Sequence, residues 1–215
     1  MAQLDRDRIA ATALAIVDKR GLAGFTIRAV AEALSVTPMA LYHHIRDKAE
    51  LAGLVVDATI RTHPLAITTG DWRDDLWALA RWTREVALSH PAVQEIRRTY
   101  RVYNPEILQM AERWLSLWQQ SGLPLAKAVV AATVTSMAIG GLVSGEAALR
   151  DLDQPDPAMT ARLPNARLLL QSKYDPESMF ELAVRSIIDG LHARLMSEPM
   201  PQRRSATPRS KSRAK

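Results

Sequence analysis

Apolar residues recur at intervals of three and four positions along most of the chain, which is the spacing of one face of an α-helix. Polar capping residues, prolines and glycines separate these runs at short intervals. No segment alternates apolar and polar residues between hairpin turns. The pattern therefore predicts an all-α fold.

The first 63 residues contain four helix N-cap signals, at Asp5, Thr26, Thr37 and Asp47. The first predicted helix ends at Gly21, and a tight turn at residues 35–36 joins the second helix to a very short third one. Two short helices around a tight turn are typical of a helix-turn-helix. We predict a three-helix DNA-binding domain over residues 1–63, with a fourth helix leading out of it.

Longer helices are predicted over about residues 71–88, 104–121, 124–149 and 175–198, after a break at residues 64–70. Residues 89–91 interrupt the first of these runs, and the proline-rich stretch 151–164 is predicted to be a loop. These helices predict a second domain over residues 64–198.

One helical stretch, from Ala128 to Gly145, contains no charged residue. Its length approaches that of a membrane span. It is built mainly from small residues, however, and lacks flanking aromatic anchors. Because small residues let two helices approach closely, we predict a buried central helix or a dimer interface and no membrane partner.

The formal net charge of +5 comes from the end of the chain. Residues 203–215 contain six Lys and Arg and no acid, which leaves 22 basic and 23 acidic residues in the rest of the chain. We predict that residues 199–215 form a disordered basic tail. An argument for DNA binding must therefore rest on other residues.

The chain has no cysteine, which excludes disulfides and thiolate metal sites. Its first residues alternate charges and do not resemble a secretory signal. These features favour a soluble cytoplasmic protein. No histidine or carboxylate cluster has metal-ligand spacing, so no metal site or cofactor is predicted.

The segment from residue 26 to 51, TIRAVAEALSVTPMALYHHIRDKAEL, resembles the DNA-binding domain of the tetracycline repressor (TetR) family. The resemblance extends over about residues 5–60. Ser35 stands where the family usually has glycine, and we expect slight backbone strain there because this turn position favours a positive φ. The residues that match the family pattern are Thr26, Arg28, Val30, Ala31, Leu34, Val36, Leu41, Tyr42, His44, Ile45, Lys48 and Leu51.

The resemblance implies a division of roles among these residues. Those expected to face base edges in the major groove are Thr37, Pro38, Met39 and Ala40, with His43 beside them. Those expected mainly to hold phosphates are Thr26, Arg28, Tyr42, His44 and Lys48. Leu41 and Ile45 are interpreted as core residues.

The second domain resembles that of the tetracycline repressor itself more weakly, at residues 71–76, 87–91 and 119–122. The resemblance implies ligand binding and a homodimer paired through helices 124–149 and 175–196. The positions that bind magnesium–tetracycline there fall near Leu79, Thr83 and Arg97 here. Because these residues lack that chemistry, we expect a different, unidentified small-molecule effector.

As a set, aromatic and methionine side chains are candidates for lining an apolar ligand pocket, although core packing is the better interpretation for any single one of them. His90 and Arg97 are candidates for a polar contact. The candidate lining residues are Trp77, Trp82, Tyr100, Tyr103, Met110, Trp114, Trp118 and Met137.

Three classes of function are compatible with the sequence to different degrees. A ligand-responsive repressor, released from double-stranded operator DNA by a small molecule, explains the helix-turn-helix, the small-residue helix and the second domain together. A constitutive DNA-binding regulator explains only the helix-turn-helix. An enzyme is the least supported class, because no nucleophile–base spacing, phosphate-binding glycine loop or metal set is present.

Overall fold

The computed structural model describes residues 4–65, 69–150, 156–171 and 175–197. All regular structure in these ranges is helical, which confirms the all-α prediction. The predicted tail, residues 199–215, lies outside them. The helices are α1 (Arg6–Gly24), α2 (Ile27–Ala33), α3 (Pro38–Tyr42), α4 (Lys48–Thr62), α5 (Trp72–Ser89), α6 (Pro91–Thr99), α7 (Pro105–Gln120), α8 (Leu125–Arg150), α9 (Pro157–Thr160), α10 (Pro164–Gln171) and α11 (Pro176–Ser197).

The four predicted N-caps of α1–α4 are confirmed. The side chains of Asp5, Thr26, Thr37 and Asp47 accept hydrogen bonds of 2.8, 3.0, 3.2 and 2.8 Å from main-chain N–H groups three residues later. Each bond satisfies one of the N–H groups that a helix start leaves without an intrahelical partner. Within α1 the backbone leaves helical geometry at Gly21, where φ is 62°. The sequence analysis predicted that the first helix ends at this glycine.

Helices α1–α4, which we call the head, surround one apolar core. Phe25, Leu41 and Leu51 are completely buried in it. Val93 and Ile96 of α6 are buried in the same core, although α6 follows the predicted domain boundary at residue 63. The head therefore packs directly on a helix from the second predicted domain.

Helices α5–α11, which we call the body, contain a second core formed by α5, α7, α8 and α11. An ion-pair network lies beside this core. The Arg84 guanidinium of α5 donates hydrogen bonds of 2.6 and 2.8 Å to Glu146 of α8, and it also bonds Glu177 of α11. Hydrogen bonding raises the pKa of Arg84 and lowers that of Glu146. The network therefore links three of the four helices around the body core.

The structure differs from the predicted helix pattern at three helices. The loop prediction for residues 151–164 is wrong at residues 157–160, where α9 forms one turn capped by Asp156. Residues 151–155 lie outside the described ranges. Two helices, α6 and α10, form where the sequence analysis predicted no separate helix. With nine and eight residues, both are too short for apolar periodicity alone to identify them.

By length and composition alone, α8 could cross a membrane. Within the protomer, a third of its most apolar stretch is buried. This observation is weak evidence for a membrane span, because the core helix of a soluble protein meets the same criteria.

Candidate nucleic-acid interface and head–body junction

Helix α3 and the residues directly after it bear some side chains that are buried in the head and others that are exposed to solvent. Leu41 and Ile45 are 0% and 2% exposed, in agreement with their interpretation as core residues. Met39 and Tyr42 are 69% and 48% exposed, and His43 is also exposed. Much of the surface of the Met39 and Tyr42 side chains is therefore left uncovered in the isolated protomer. They are available to a partner.

The side chains at the start of α2 lie in the same part of the head. Thr26 and Arg28 are exposed. The Thr26 hydroxyl accepts the Ala29 N–H at 3.0 Å, and a hydroxyl that accepts in this way can still donate its own hydrogen. An anion at this helix N-terminus would therefore meet a hydroxyl donor and a guanidinium.

The turn between α2 and α3 has the strained geometry expected from the sequence. Ser35 adopts a φ of 56°, in the left-handed region. The N–H groups of Ser35 and Val36 donate to the carbonyls of Glu32 and Ala31, both at 3.0 Å. This pairing closes the end of α2 in the manner of a Schellman turn, whose left-handed residue is usually glycine.

Glu50 fixes the turn between α3 and α4 to the start of α1. Its carboxylate accepts the Arg46 main-chain N–H at 2.8 Å and an Arg6 guanidinium N–H at 2.6 Å. These bonds, the one from Arg46 N–H first, lower the pKa of Glu50 to about 2. Arg6 also donates to the His44 carbonyl at 2.7 Å. The orientation of α3 in the head therefore depends on α1.

Lys48, the first residue of α4, packs against aromatic rings. Its Nζ lies 5.2 Å from the ring centroid of Phe25 and 5.4 Å from that of Tyr100. The two rings meet edge to face, with centroids 5.6 Å apart. Tyr100, which the sequence analysis placed in a ligand pocket, lies instead against the head.

A second set of contacts joins the head to α5. The indole N–H of Trp82 donates to the His63 carbonyl at 2.7 Å. The His63 ring meets the His90 ring edge to face at 5.2 Å, and His90 Nδ1 lies 2.8 Å from the Asp18 carboxylate. His90, predicted as a polar ligand contact, therefore lies at the junction of α1, α4 and α6.

The start of α7 contacts the middle of α4 through polar groups. Asn104 caps α7 and donates to the Asp57 carboxylate and, at 3.4 Å, to the Gly53 carbonyl. Burial, together with the neighbouring Glu106 carboxyl, raises the pKa of Asp57 to about 7. One oxygen of Glu106 is buried without a hydrogen-bond partner. Two carboxyl groups that cannot both ionise cheaply thus face each other between head and body.

A cavity of about 160 Å³ opens where α4, α5 and α7 meet. Of the predicted ligand-pocket residues, it brings together Trp82 and Met110. Among its other lining residues, the sequence analysis missed His63, Gln109 and Arg113. The spacing of Gln109 and Arg113, four positions apart on one helix, could have placed them on a common face beside Met110.

The other predicted pocket residues lie elsewhere. Trp77 packs on Phe180 at 5.9 Å, while Trp114 and Trp118 are buried in the body core. Tyr103 and Met137 are 81% and 72% exposed, and Arg97 is also exposed. Among the residues that the structure describes, no group of three His, Asp or Glu side chains is arranged to hold a metal ion.

Known protein families match both parts of this architecture. The family described as "Bacterial regulatory proteins, tetR family" matches residues 9–55, and "Tetracyclin repressor-like, C-terminal domain" matches residues 64–195. The chain belongs to the tetR family. Members of this family are DNA-binding transcriptional regulators and not enzymes. This confirms the predicted family resemblance and the prediction that an enzyme is the least supported class.

Curated relatives include the class A tetracycline repressor of transposon 1721 from Escherichia coli, 28% identical over 204 residues, which are 90% of this chain and 93% of that one. An HTH-type transcriptional regulator from Saccharopolyspora erythraea is 28% identical over 152 residues, or 70% of this chain. The transcriptional repressor DrrR1 from Streptomyces coeruleorubidus is 32% identical over 122 residues, or 56% of this chain. The chain spans only 64% and 45% of the lengths of these last two relatives.

Two similar solved structures contain a bound partner. The Streptomyces coelicolor TetR family protein ActR, in complex with (S)-DNPA, is 25% identical with a TM-score of 0.70, covering 90% of this chain and 99% of that one. BioQ with its double-stranded DNA operator is 26% identical with a TM-score of 0.65, covering 89% of this chain and 100% of that one.

Proposed function

We propose that this tetR-family chain is a cytoplasmic, homodimeric repressor that binds double-stranded operator DNA and leaves it when a small molecule binds the body. The observation that carries the DNA-binding part is the division of α3 into a buried face and an exposed one bearing Met39 and Tyr42. BioQ, a protein of similar structure, is known with its DNA operator, which supports this proposal.

The residues proposed to contact DNA have two kinds of role. Apolar Met39 and Ala40 suit contacts with thymine methyl groups, which carry sequence information. The residues at the helix starts, Thr26, Arg28 and Lys48, suit phosphates, which carry none. A base contact and a phosphate contact can be separated experimentally because only the second changes the salt dependence of binding.

The test of the DNA proposal is selection of an operator from random duplexes by the full chain, followed by titrations at several salt concentrations. Arg28→Met removes one phosphate contact from each of the two heads, so it should weaken binding to all duplexes and lower the slope of log affinity against log salt by about 1.8. Met39→Ala should change the preferred base at one position of each half-site and leave the slope unaltered. Failure of the wild-type chain to enrich any duplex would refute the proposal.

The homodimer is proposed from the outer faces of α8 and α11. Met137 of α8 and Leu182 of α11 are 72% and 70% exposed, and Val134 and Met179 on the same two helices are exposed as well, so several exposed apolar side chains occur together there. A Cβ added at Gly140, Gly141 or Gly145 would meet no atom within 4 Å. These glycines leave room for a second helix to approach closely, so a partner protomer can cover both faces.

The effector site is proposed to be the cavity beside Trp82 and Met110. The Trp82 side chain lines this cavity and also donates a hydrogen bond to the His63 carbonyl at the end of α4. A ligand that moves the indole therefore also moves this helix of the head. ActR, of similar structure, is known in complex with a small molecule. A ligand can release the operator only if it prefers the shape that does not bind DNA.

The test of the proposed effector site starts from a thermal-shift screen, because a ligand that binds the folded state raises the melting temperature. A compound that raises it should raise it less in a Met110→Trp variant, in which a larger side chain fills the cavity. The same compound should weaken operator binding. A compound that binds the wild type with identical affinity in the presence and absence of operator would refute ligand release through this site.

A further inference from the structure

Lys48 is held by one ring from each part of the molecule. Phe25 belongs to the head and is completely buried, whereas Tyr100 follows α6 and is partly buried against the head core. The ammonium lies at nearly equal distances from the two ring centroids, 5.2 and 5.4 Å. Both distances are within the range in which a cation is attracted to an aromatic ring.

This arrangement restricts a side chain that is otherwise among the most mobile in proteins. A free lysine side chain loses much rotamer entropy when it is fixed in one orientation. Because the two rings already restrict the position of the Lys48 ammonium, part of this entropic cost is removed from the binding of a phosphate. The ammonium has three N–H donors, and aromatic faces satisfy them only weakly, so it can still bond an anion.

The position of Tyr100 depends on that of α6. It caps α6, its N–H donating to the Ile96 carbonyl at 2.9 Å. Helix α6 begins at Pro91, directly after His90, whose ring contacts Asp18 and His63. Any displacement of α6 relative to α4 therefore changes the distance between the Tyr100 ring and the Lys48 ammonium.

We propose that Tyr100 is a positioning residue for DNA binding: with Phe25 it orients Lys48 toward an operator phosphate, and displacement of α6 removes this support. The inference rests on the proposed DNA-binding function. It assigns to a body residue a contribution to the electrostatic part of operator affinity. Tyr100 does not itself touch DNA and acts only through Lys48.

The experiment is a double-mutant cycle on the full chain with its selected operator duplex. Tyr100→Leu keeps an apolar side chain but removes the ring, and we expect about two- to fivefold weaker binding, the lower part of the entropic cost of immobilising one long side chain on binding. The slope of log affinity against log salt should fall toward that of Lys48→Met. In the Lys48→Met background, Tyr100→Leu should have no further effect. Tyr100→Phe, which keeps the ring, is the matched control and should bind like the wild type.

Three results would overturn the proposal. The first is wild-type affinity and salt slope in Tyr100→Leu. The second is an equal loss of affinity with and without Lys48, which would make Tyr100 merely structural. The third is tighter binding in Tyr100→Leu, which would mean that the ring withholds Lys48 from DNA. If Arg28→Met and Lys48→Met weaken binding as expected in any of these cases, the proposed function survives and only this inference fails. A wild-type chain that binds no duplex overturns both.

Discussion

The indole Nε1 of Trp82 donates a 2.7 Å hydrogen bond to the main-chain carbonyl of His63, the residue that caps the C-terminal end of α4. Because α4 belongs to the head and Trp82 to the body, this bond joins the two parts of the chain. The carbonyl lies at a helix end, where no intrahelical N–H is available to replace the indole.

Trp82→Phe should lower the free energy of unfolding by about 1 kcal/mol, the usual net value of such a bond when its acceptor loses its partner. Denaturant unfolding followed by circular dichroism measures this difference. Trp77→Phe is the matched control on the same helix, since its ring packs on Phe180 and removal of its N–H should cost less. Equal losses of unfolding free energy in the two variants would show that the smaller ring, and not the missing hydrogen bond, destabilises the protein.

Ser35→Gly should raise the free energy of unfolding by about 0.5–1 kcal/mol. The φ of 56° is unfavourable for a residue with a Cβ and costs glycine little, although glycine loses more entropy on folding. Ser116→Gly, at an exposed position inside α7, should have the opposite sign and destabilise by about 0.5 kcal/mol. A Ser35→Gly variant that unfolds at lower denaturant than the wild type would contradict the assigned strain.

The α2–α3 turn also illustrates how far the sequence alone could lead. Caps such as Thr37 and Asp47 act within three residues, and the turn at Ser35 is equally local, so all were predictable. Contacts between distant segments were not. Neither the apolar period of α6 nor the residue type of Tyr100 indicates that this helix packs on the head, because that depends on how two domains meet.

The same limit applied to the ligand site. Eight aromatic and methionine residues had the right chemistry for a pocket, but core packing uses the same chemistry. Only the three-dimensional arrangement separates Trp82, which lines the cavity, from Trp118, which is completely buried in the body core.

Asp57 should make the stability of the fold depend on pH between about 4 and 7. Its pKa in the folded protein is about 7, above the ordinary value of 3.8. In this window the folded state binds more protons than the unfolded state, so the free energy of unfolding falls as pH rises through it. Asp57→Asn should remove this loss and stabilise the protein at pH 8. The measurement is a series of denaturant titrations from pH 4 to pH 8.

The pH dependence due to Asp57 can be distinguished from that of other carboxylates by the pKa of Glu50 and by a control variant. Glu50 has a lowered pKa of about 2, so its contribution is present above its ordinary value of 4.5 and is lost only as pH falls below it. Asp189→Asn, in an exposed ion pair with Arg73 at 3.0 Å, is the matched control and should leave the decline between pH 4 and 7 in place. A decline that persists unchanged in Asp57→Asn would assign the titration to another group.

A charge on the face of α8 that bears Gly141 and Ser144 should break the proposed homodimer. Gly141 and Ser144 are exposed in the protomer, so an aspartate at either position is solvated there and does not disturb the body core. In a dimer that pairs through this face, the same carboxylate would be buried without a partner, which is costly. Gly141→Asp and Ser144→Asp should therefore shift the molar mass measured by light scattering from dimer to monomer, and operator affinity should fall because a two-fold site needs two heads.

Ala111→Asp, exposed on α7, is the matched control and should remain dimeric with wild-type operator affinity. If both α8 variants stay dimeric at micromolar concentration, the protomers pair through another surface, and the exposed side chains of Met137 and Leu182 need a different partner.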